Sequence, residues 1–178
     1  TKPGLSKQEV LAQNKKWIVC NKGGGSRKWY GLNYYVINWL DDGKELKDYI
    51  TFKYKGGSYT KEIRSENLYF LPGLTWSGIT SGNPSFRFFE SGCIFSSSGP
   101  SAFPKDHFEY ILGLLNSSTG SLIFKLLSPT LSVLSGDIAK IPIKYQNVDD
   151  IKNIVTRLIS VSKQDWDANE TSWNFQTN

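Results

Sequence analysis

The period of apolar and polar positions changes along this chain, and each change predicts an element. Ser6 and Glu9 stand three apart just ahead of Val10 and Leu11, the spacing of a capping box, which predicts a short helix from Ser6 to about Lys16. Two β-branched and aromatic runs follow, WIVCN at 17–21 and YYVINWL at 34–40, bounded by glycines and by Asp41-Asp42-Gly43. They read as strands, which makes NKGGGSRKWYG (21–31) a loop joining two strands. In ITFKYKGGSYTKEI (50–63), alternation on either side of Gly56-Gly57 predicts a hairpin with a tight turn. Further short strands are expected in GLTWSGI, SFRFF and GCIFS. The period then becomes helical over 104–127, with Asp106 as the expected cap and a break expected near Gly120. A last helix is predicted from about Asn147 to Ser162, with Val148, Ile151, Val155 and Leu158 on its apolar stripe and Asp149 and Asp150 in its first turn. The class is α+β: a strand-rich central sheet with hairpins, a short N-terminal helix and C-terminal helices.

Composition narrows this picture. With 178 residues, 39% apolar and 14% aromatic, the chain can bury one core, and no apolar run reaches membrane length. A soluble, cytoplasmic protein with no membrane partner is expected. Methionine is absent and the first residue is Thr1, so the chain is expected to be an excerpt of a longer one. Cys20 and Cys93 lie in apolar strand-like runs and are expected to be buried free thiols. Charge is unevenly spread. Residues 1–64 hold 13 Lys and Arg against 6 Asp and Glu, whereas residues 65–178 hold 8 against 10. A cationic surplus confined to one third of the chain favours a polyanionic partner, with a lysine-rich solvated surface as the competing reading.

Candidate chemistry is sparse. The loop at 21–31 has three consecutive glycines, but it runs into a strand rather than into Lys-Ser/Thr at a helix start, so it is not a nucleotide-triphosphate cradle. It reads as a flexible basic loop able to approach a phosphodiester, or as a mobile hairpin with buried aromatics; the residues leave both open. NPSF (83–86) is similar to the Asn-Pro-Pro-aromatic tetrapeptide of amino-methyltransferases, but Ser85 breaks the pattern and no glycine-rich strand-to-helix turn precedes it, so it reads as a turn. One histidine, His107, and two separated cysteines supply neither a hydrolytic base with its nucleophile nor a zinc site. No catalytic residue and no metal site is expected.

NKGGGSRKWYG, YVINWLDDGKELK, GLTWSGITSG, SGCIFSSSG, LSPTLSVLSGDIAKIPI and SKQDWDANETSWNF occur here in one order. In that order the chain resembles the C-terminal part of BREX-type adenine-specific DNA methyltransferases, the PglX family, across nearly its whole length. GDIAKIPI followed by a long helix is also similar to the ends of target-recognition domains in type I restriction specificity subunits. The resemblance implies a larger parent of a phage-defence or restriction-modification system, with an N-terminal methyltransferase domain that holds the catalytic tetrapeptide and S-adenosylmethionine. Residues 1–145 would then be a DNA target-recognition domain and 146–178 a spacer-like helix and tail packed on the same unit. Double-stranded DNA becomes the expected polyanion. Lys22, Arg27, Lys28, Trp29, Tyr30, Lys53 and Lys55 are candidates for its backbone; Arg64, Ser65, Trp76, Ser77 and Arg87 are candidates for its bases. Each base candidate has an ordinary alternative: Trp76 in the core, Arg87 paired with Glu90, Arg64 bridged to Glu62 or Glu66. Two other classes compete, a protein-interaction module for other defence-system proteins and a carbohydrate-binding module with exposed rings.

Overall fold

The structure is a computed structural model that describes residues 2–128 and 130–175; the last three positions of the predicted 146–178 unit lie outside the described residues. The capping box forms as read: the Ser6 hydroxyl accepts the Glu9 N–H at 3.3 Å while the Glu9 carboxylate accepts the Ser6 N–H at 2.8 Å. Helix α1 (Lys7–Gln13) then closes earlier than expected on Asn14, which adopts the left-handed conformation.

Strands β1 (Trp17–Asn21) and β3 (Tyr35–Asn38) pair antiparallel, and β6 (Ile94–Phe95) joins β1 in parallel, giving a three-stranded sheet ordered β3-β1-β6. The segment between β1 and β3 is more than a connection. It contains β2 (Trp29–Tyr30), which crosses to a second sheet ordered β2-β5-β4-β7, built with β4 (Gly73–Trp76), β5 (Phe86–Phe89) and β7 (Ser101–Ala102). The second sheet packs its Leu74, Trp76 and Phe86 against Leu112 and Leu115 of α3 (Phe108–Asn116), Phe124 of α4 (Ser118–Leu127) and Val155 of α6 (Val148–Asp167). A separate cluster under the first sheet gathers Val10, Ile18, Trp39, Ile50, Ile63, Tyr69, Phe70 and Ile94. The α+β class is therefore as expected, although two small sheets take the place of one central sheet. Cys20 and Cys93 are buried free thiols, and loss of solvent pushes them up to about 11 and about 12. Among the described residues no single helix is long and apolar enough to cross a membrane.

The hairpin expected at 50–63 does not form. Its first four residues end α2 (Leu40–Lys53), which begins irregularly because Asp41, Asp42 and Gly43 all have positive φ, and which buries Ile50. Gly56-Gly57, read as a tight turn, closes this helix instead: the Gly56 N–H donates to Thr51 O at 2.9 Å and the Lys55 N–H to Phe52 O at 2.9 Å, a Schellman pair. The left-handed position in that motif is Lys55, at φ 51, one residue ahead of the glycine. Relief of this strain is testable: Lys55→Gly should stabilise the chain by about 0.5–1 kcal/mol in denaturant unfolding, since glycine bears no left-handed penalty.

Two further readings need correction. Asp106 is not the cap of α3; His107 occupies that position at φ 52 with no side-chain cap bond, and its ring lies 4.6 Å from that of Tyr145. The break expected near Gly120 falls at Ser117, whose hydroxyl accepts the Gly120 N–H at 3.0 Å and so caps α4. The last helix starts where expected, at Val148, and runs past Ser162 to Asp167, packing on α3 and β2.

Candidate nucleic-acid interface

The glycine loop takes its shape from Gly23, Gly24 and Gly25, at φ 77, 91 and 66, a run of left-handed residues that side chains resist. It is not a loose hairpin. A Cβ at Gly23 would lie 2.2 Å from the Ser98 carbonyl oxygen and one at Gly99 would lie 2.6 Å from Asn21 O, so the loop is pressed against the 96–99 turn. The Ser96 N–H donates to Asn21 O at 3.0 Å, and the Ser77 hydroxyl donates to Gly25 O at 2.9 Å. The loop leads into β2 rather than into a helix N-terminus, so it is not a strand-to-helix phosphate cradle.

Three of the five cations proposed for the DNA backbone are engaged by partners within the protein. Arg27 donates from Nε to Tyr30 O at 2.8 Å, forms a 2.6 Å ion pair with Asp165 and lies 5.4 Å from the Trp166 ring, which fastens the loop to α6. Lys28 Nζ donates to Asn116 O at 2.8 Å. Lys53 pairs with Glu62 at 2.6 Å. Tyr30 is buried and donates its hydroxyl to Glu90, which also holds Lys163; burial, then the Glu90 charge, raises the phenol well above its usual range. Trp29, half-buried, packs against the larger core. Lys22 and Lys55 differ. Both are exposed and join no ion pair among the described residues, and Lys22 lies 4.7 Å from the Tyr35 ring.

The base candidates divide in the same way. Trp76 has 0% of its surface exposed and donates its indole N–H to Val133 O at 2.9 Å, so it is core. Ser77 is buried under the glycine loop. Arg87 is 2% exposed, set in β5 between Trp29 of β2 and Thr75 of β4, and does not pair with Glu90. None of these three reaches a groove of DNA while the sheets stay closed, which corrects their assignment as base readers. Arg64 and Ser65 are exposed; Arg64 Nε donates to Lys61 O at 3.4 Å, and among the described residues Arg64 bridges to neither Glu62 nor Glu66.

Two clefts hold three of the remaining candidates, Lys22, Arg64 and Ser65, whereas Lys55 lines neither. The first, about 690 Å³, is lined by Lys22, Gly23, Gly24, Tyr35 and Ser98; the second, about 760 Å³, has Lys61, Arg64 and Ser65 with Trp39 and Tyr69 behind them. Ser97, Pro100 and Ser135 line both, so the clefts are neighbours, with Lys22 in one, Lys61 and Arg64 in the other and serine hydroxyls on the wall they share. Sequence reasoning missed these hydroxyls, because SSSGP (96–100) and SGD (135–137) carry no motif and become a cleft wall only through the fold.

Comparison with known proteins places this surface in context. No protein-family model matches the chain. It is 38% identical over 180 residues to the adenine-specific methyltransferase PglX of Lacticaseibacillus casei (strain Zhang), and 33% identical over 169 residues to the adenine-specific methyltransferase BrxX of Escherichia coli O9:H4 (strain HS). These alignments take in 98% and 93% of this chain but only 14% and 13% of the two relatives. The chain thus corresponds to one segment of much longer methyltransferases.

Proposed function

We propose that this chain is the sequence-specific DNA recognition domain of an S-adenosylmethionine-dependent, adenine-specific DNA methyltransferase of a phage-defence system. The neighbouring clefts that hold Lys22 and Arg64 carry the reading. Their cations suit phosphates, and their serine hydroxyls and the Arg64 guanidinium suit the donors and acceptors of base edges. The similarity to PglX and BrxX supports duplex DNA as the polyanion, with catalysis and the methyl donor in the part of the parent that this chain does not span. Lys22 in the first cleft and the exposed Lys55, which lines neither cleft, position the backbone, and Arg64 with Ser65 reads bases.

The division of labour is tested in the full-length methyltransferase. Lys22→Glu and Lys55→Glu should each weaken DNA binding at every sequence and lower the slope of log K against log salt by roughly 0.9 per lost phosphate contact. Arg64→Ala should leave that slope nearly intact and relax the modified motif at one base pair, with about 1–3 kcal/mol of discrimination lost. Methylation mapping together with salt-titrated binding reads both. An unchanged slope for both lysine variants, with an unchanged motif for Arg64→Ala, would remove the clefts from DNA recognition.

A further inference from the structure

The first cleft differs from its neighbour in charge: among the described residues no Asp or Glu lines it, whereas Glu62 lines the second. Its one cation is Lys22, whose ammonium is kept 4.7 Å from the centre of the Tyr35 ring. Gly23 and Gly24 put bare backbone on its wall, and among the described residues neither amide N–H donates to a partner. A Cβ at Gly24 would meet nothing within 4 Å, so the space before that backbone is open. The hydroxyls of Ser97, Ser98 and Ser135 are also without partners among the described residues. An ammonium, free amides and free hydroxyls with no carboxylate among them suit a phosphate group.

The same cleft also has an apolar side. Segment 77–79 is bonded to both: the Ser77 hydroxyl donates to Gly25 O at 2.9 Å toward the glycine loop, while the Val133 N–H donates to Gly78 O at 2.9 Å and Ile79 bridges Ser132. Ile79 and Leu134, which are 75% and 60% exposed, both line the cleft. Large aliphatics this exposed within a concave site favour an occupant that covers them. A phosphate alone leaves them in water.

We infer that the first cleft binds a whole nucleoside phosphate, with the phosphate on Lys22, the Gly23 and Gly24 amides and Ser98, and the base against Ile79 and Leu134. Its volume of about 690 Å³ lies within the range of about 300–1,000 Å³ found for sites that enclose small ligands. A free nucleotide and an unpaired nucleotide of a DNA strand present this same chemistry. Only the second source rests on the reading of the chain as a DNA-recognition domain.

The test reads Lys22 itself in the full-length methyltransferase, by its rate of acetylation with an N-hydroxysuccinimide ester followed peptide by peptide in the mass spectrometer. A mixture of the deoxynucleoside 5′-monophosphates, at about twice its dissociation constant, should slow Lys22 by about threefold relative to sodium chloride at equal ionic strength and leave the exposed Lys55 unchanged. Inorganic phosphate at the same concentration should slow Lys22 less. Ile79→Ser with Leu134→Ser should bring the nucleotides down to the level of inorganic phosphate, and Ser98→Glu should remove protection by either; circular dichroism checks that these exposed substitutions leave the fold intact. A single-stranded oligonucleotide that protects Lys22 at lower concentration than the monomers would support the site with DNA as its source, and monomers that protect better would support it with a free nucleotide. Monomers that protect no better than chloride, or no better than inorganic phosphate, would overturn the inference. Because those arms contain no DNA, such a failure leaves the Arg64 motif test standing.

Discussion

Gly120→Ala should destabilise the chain by about 3 kcal/mol or more, although alanine is the better helix former by about 1 kcal/mol. Helices α3 and α4 meet at 75°, and Ser117 makes the corner: its N–H donates to Leu114 O at 3.1 Å and its hydroxyl donates to the same oxygen at 2.7 Å. Gly120 lies directly on that carbonyl. A Cβ there would be 2.0 Å from Leu114 O and 3.3 Å from Leu115 Cα, and both are backbone, so no side-chain rotation relieves the contact. Propensity therefore loses to overlap, and the corner must open. Opening it strips Phe124 from Leu112 and Leu115, which face the second sheet. Gly136→Ala supplies the comparison: it is also helical, in α5 (Ser135–Ile138), but an added Cβ meets nothing within 4 Å. That variant should be neutral or stabilising by up to about 1 kcal/mol. Thermal unfolding of the two variants separates them, with a melting point lowered by about 6–12 °C expected for Gly120→Ala alone. Equal melting points would mean that the corner does not depend on this approach.

What could be read from the sequence was local. The capping box of Ser6 and Glu9 is complete within four residues, and β1, β3 and β5 lie inside short aromatic or β-branched runs, mostly buried in β1 and β5 while Tyr35 and Val36 of β3 are exposed. The α2 region was misread because its signals are shared by two structures. Gly56-Gly57 serves a hairpin turn or a helix end equally well, and only the bond from Gly56 N–H to Thr51 O distinguishes them. The helical pair Leu46 and Ile50 was also obscured by exposed Tyr49 and Phe52 on the opposite side. The site was less legible than the fold. Arg27 looks like a phosphate ligand until Asp165, far along the chain, is placed beside it. The cleft wall of Ser97, Pro100 and Ser135 has no sequence signature at all, since it is assembled from two loops that the fold makes neighbours.

Arg87 is the position where charge and burial conflict most sharply, and Arg87→Met should raise stability by about 1–3 kcal/mol at neutral pH. Its side chain is 2% exposed, Nε and Nη1 have no hydrogen-bond partner, and among the described residues it joins no ion pair. Glu90, the carboxylate nearest in sequence, is occupied by Tyr30 and Lys163. Burial without a counter-charge pushes the guanidinium down to about 10 from an ordinary value of 12.5. In this range the unfolded chain holds the proton more tightly than the folded one. The penalty is therefore fully present at neutral pH, and it fades as pH rises through about 10 toward 12.5. Cys20, Cys93 and Tyr69 act in the opposite direction, because burial raises them to about 11, about 12 and about 12, and the unfolded chain ionises them first. The wild-type protein should accordingly lose stability above pH 9 overall, while the difference between wild type and Arg87→Met shrinks over the same interval. Methionine fills a similar length of space without a charge, so packing against Thr75 and Trp29 is retained. Urea unfolding at pH 7 and at pH 10 measures both effects, and a variant that is less stable than wild type at pH 7 would show that Arg87 holds the two flanking strands by bonds worth more than its desolvation.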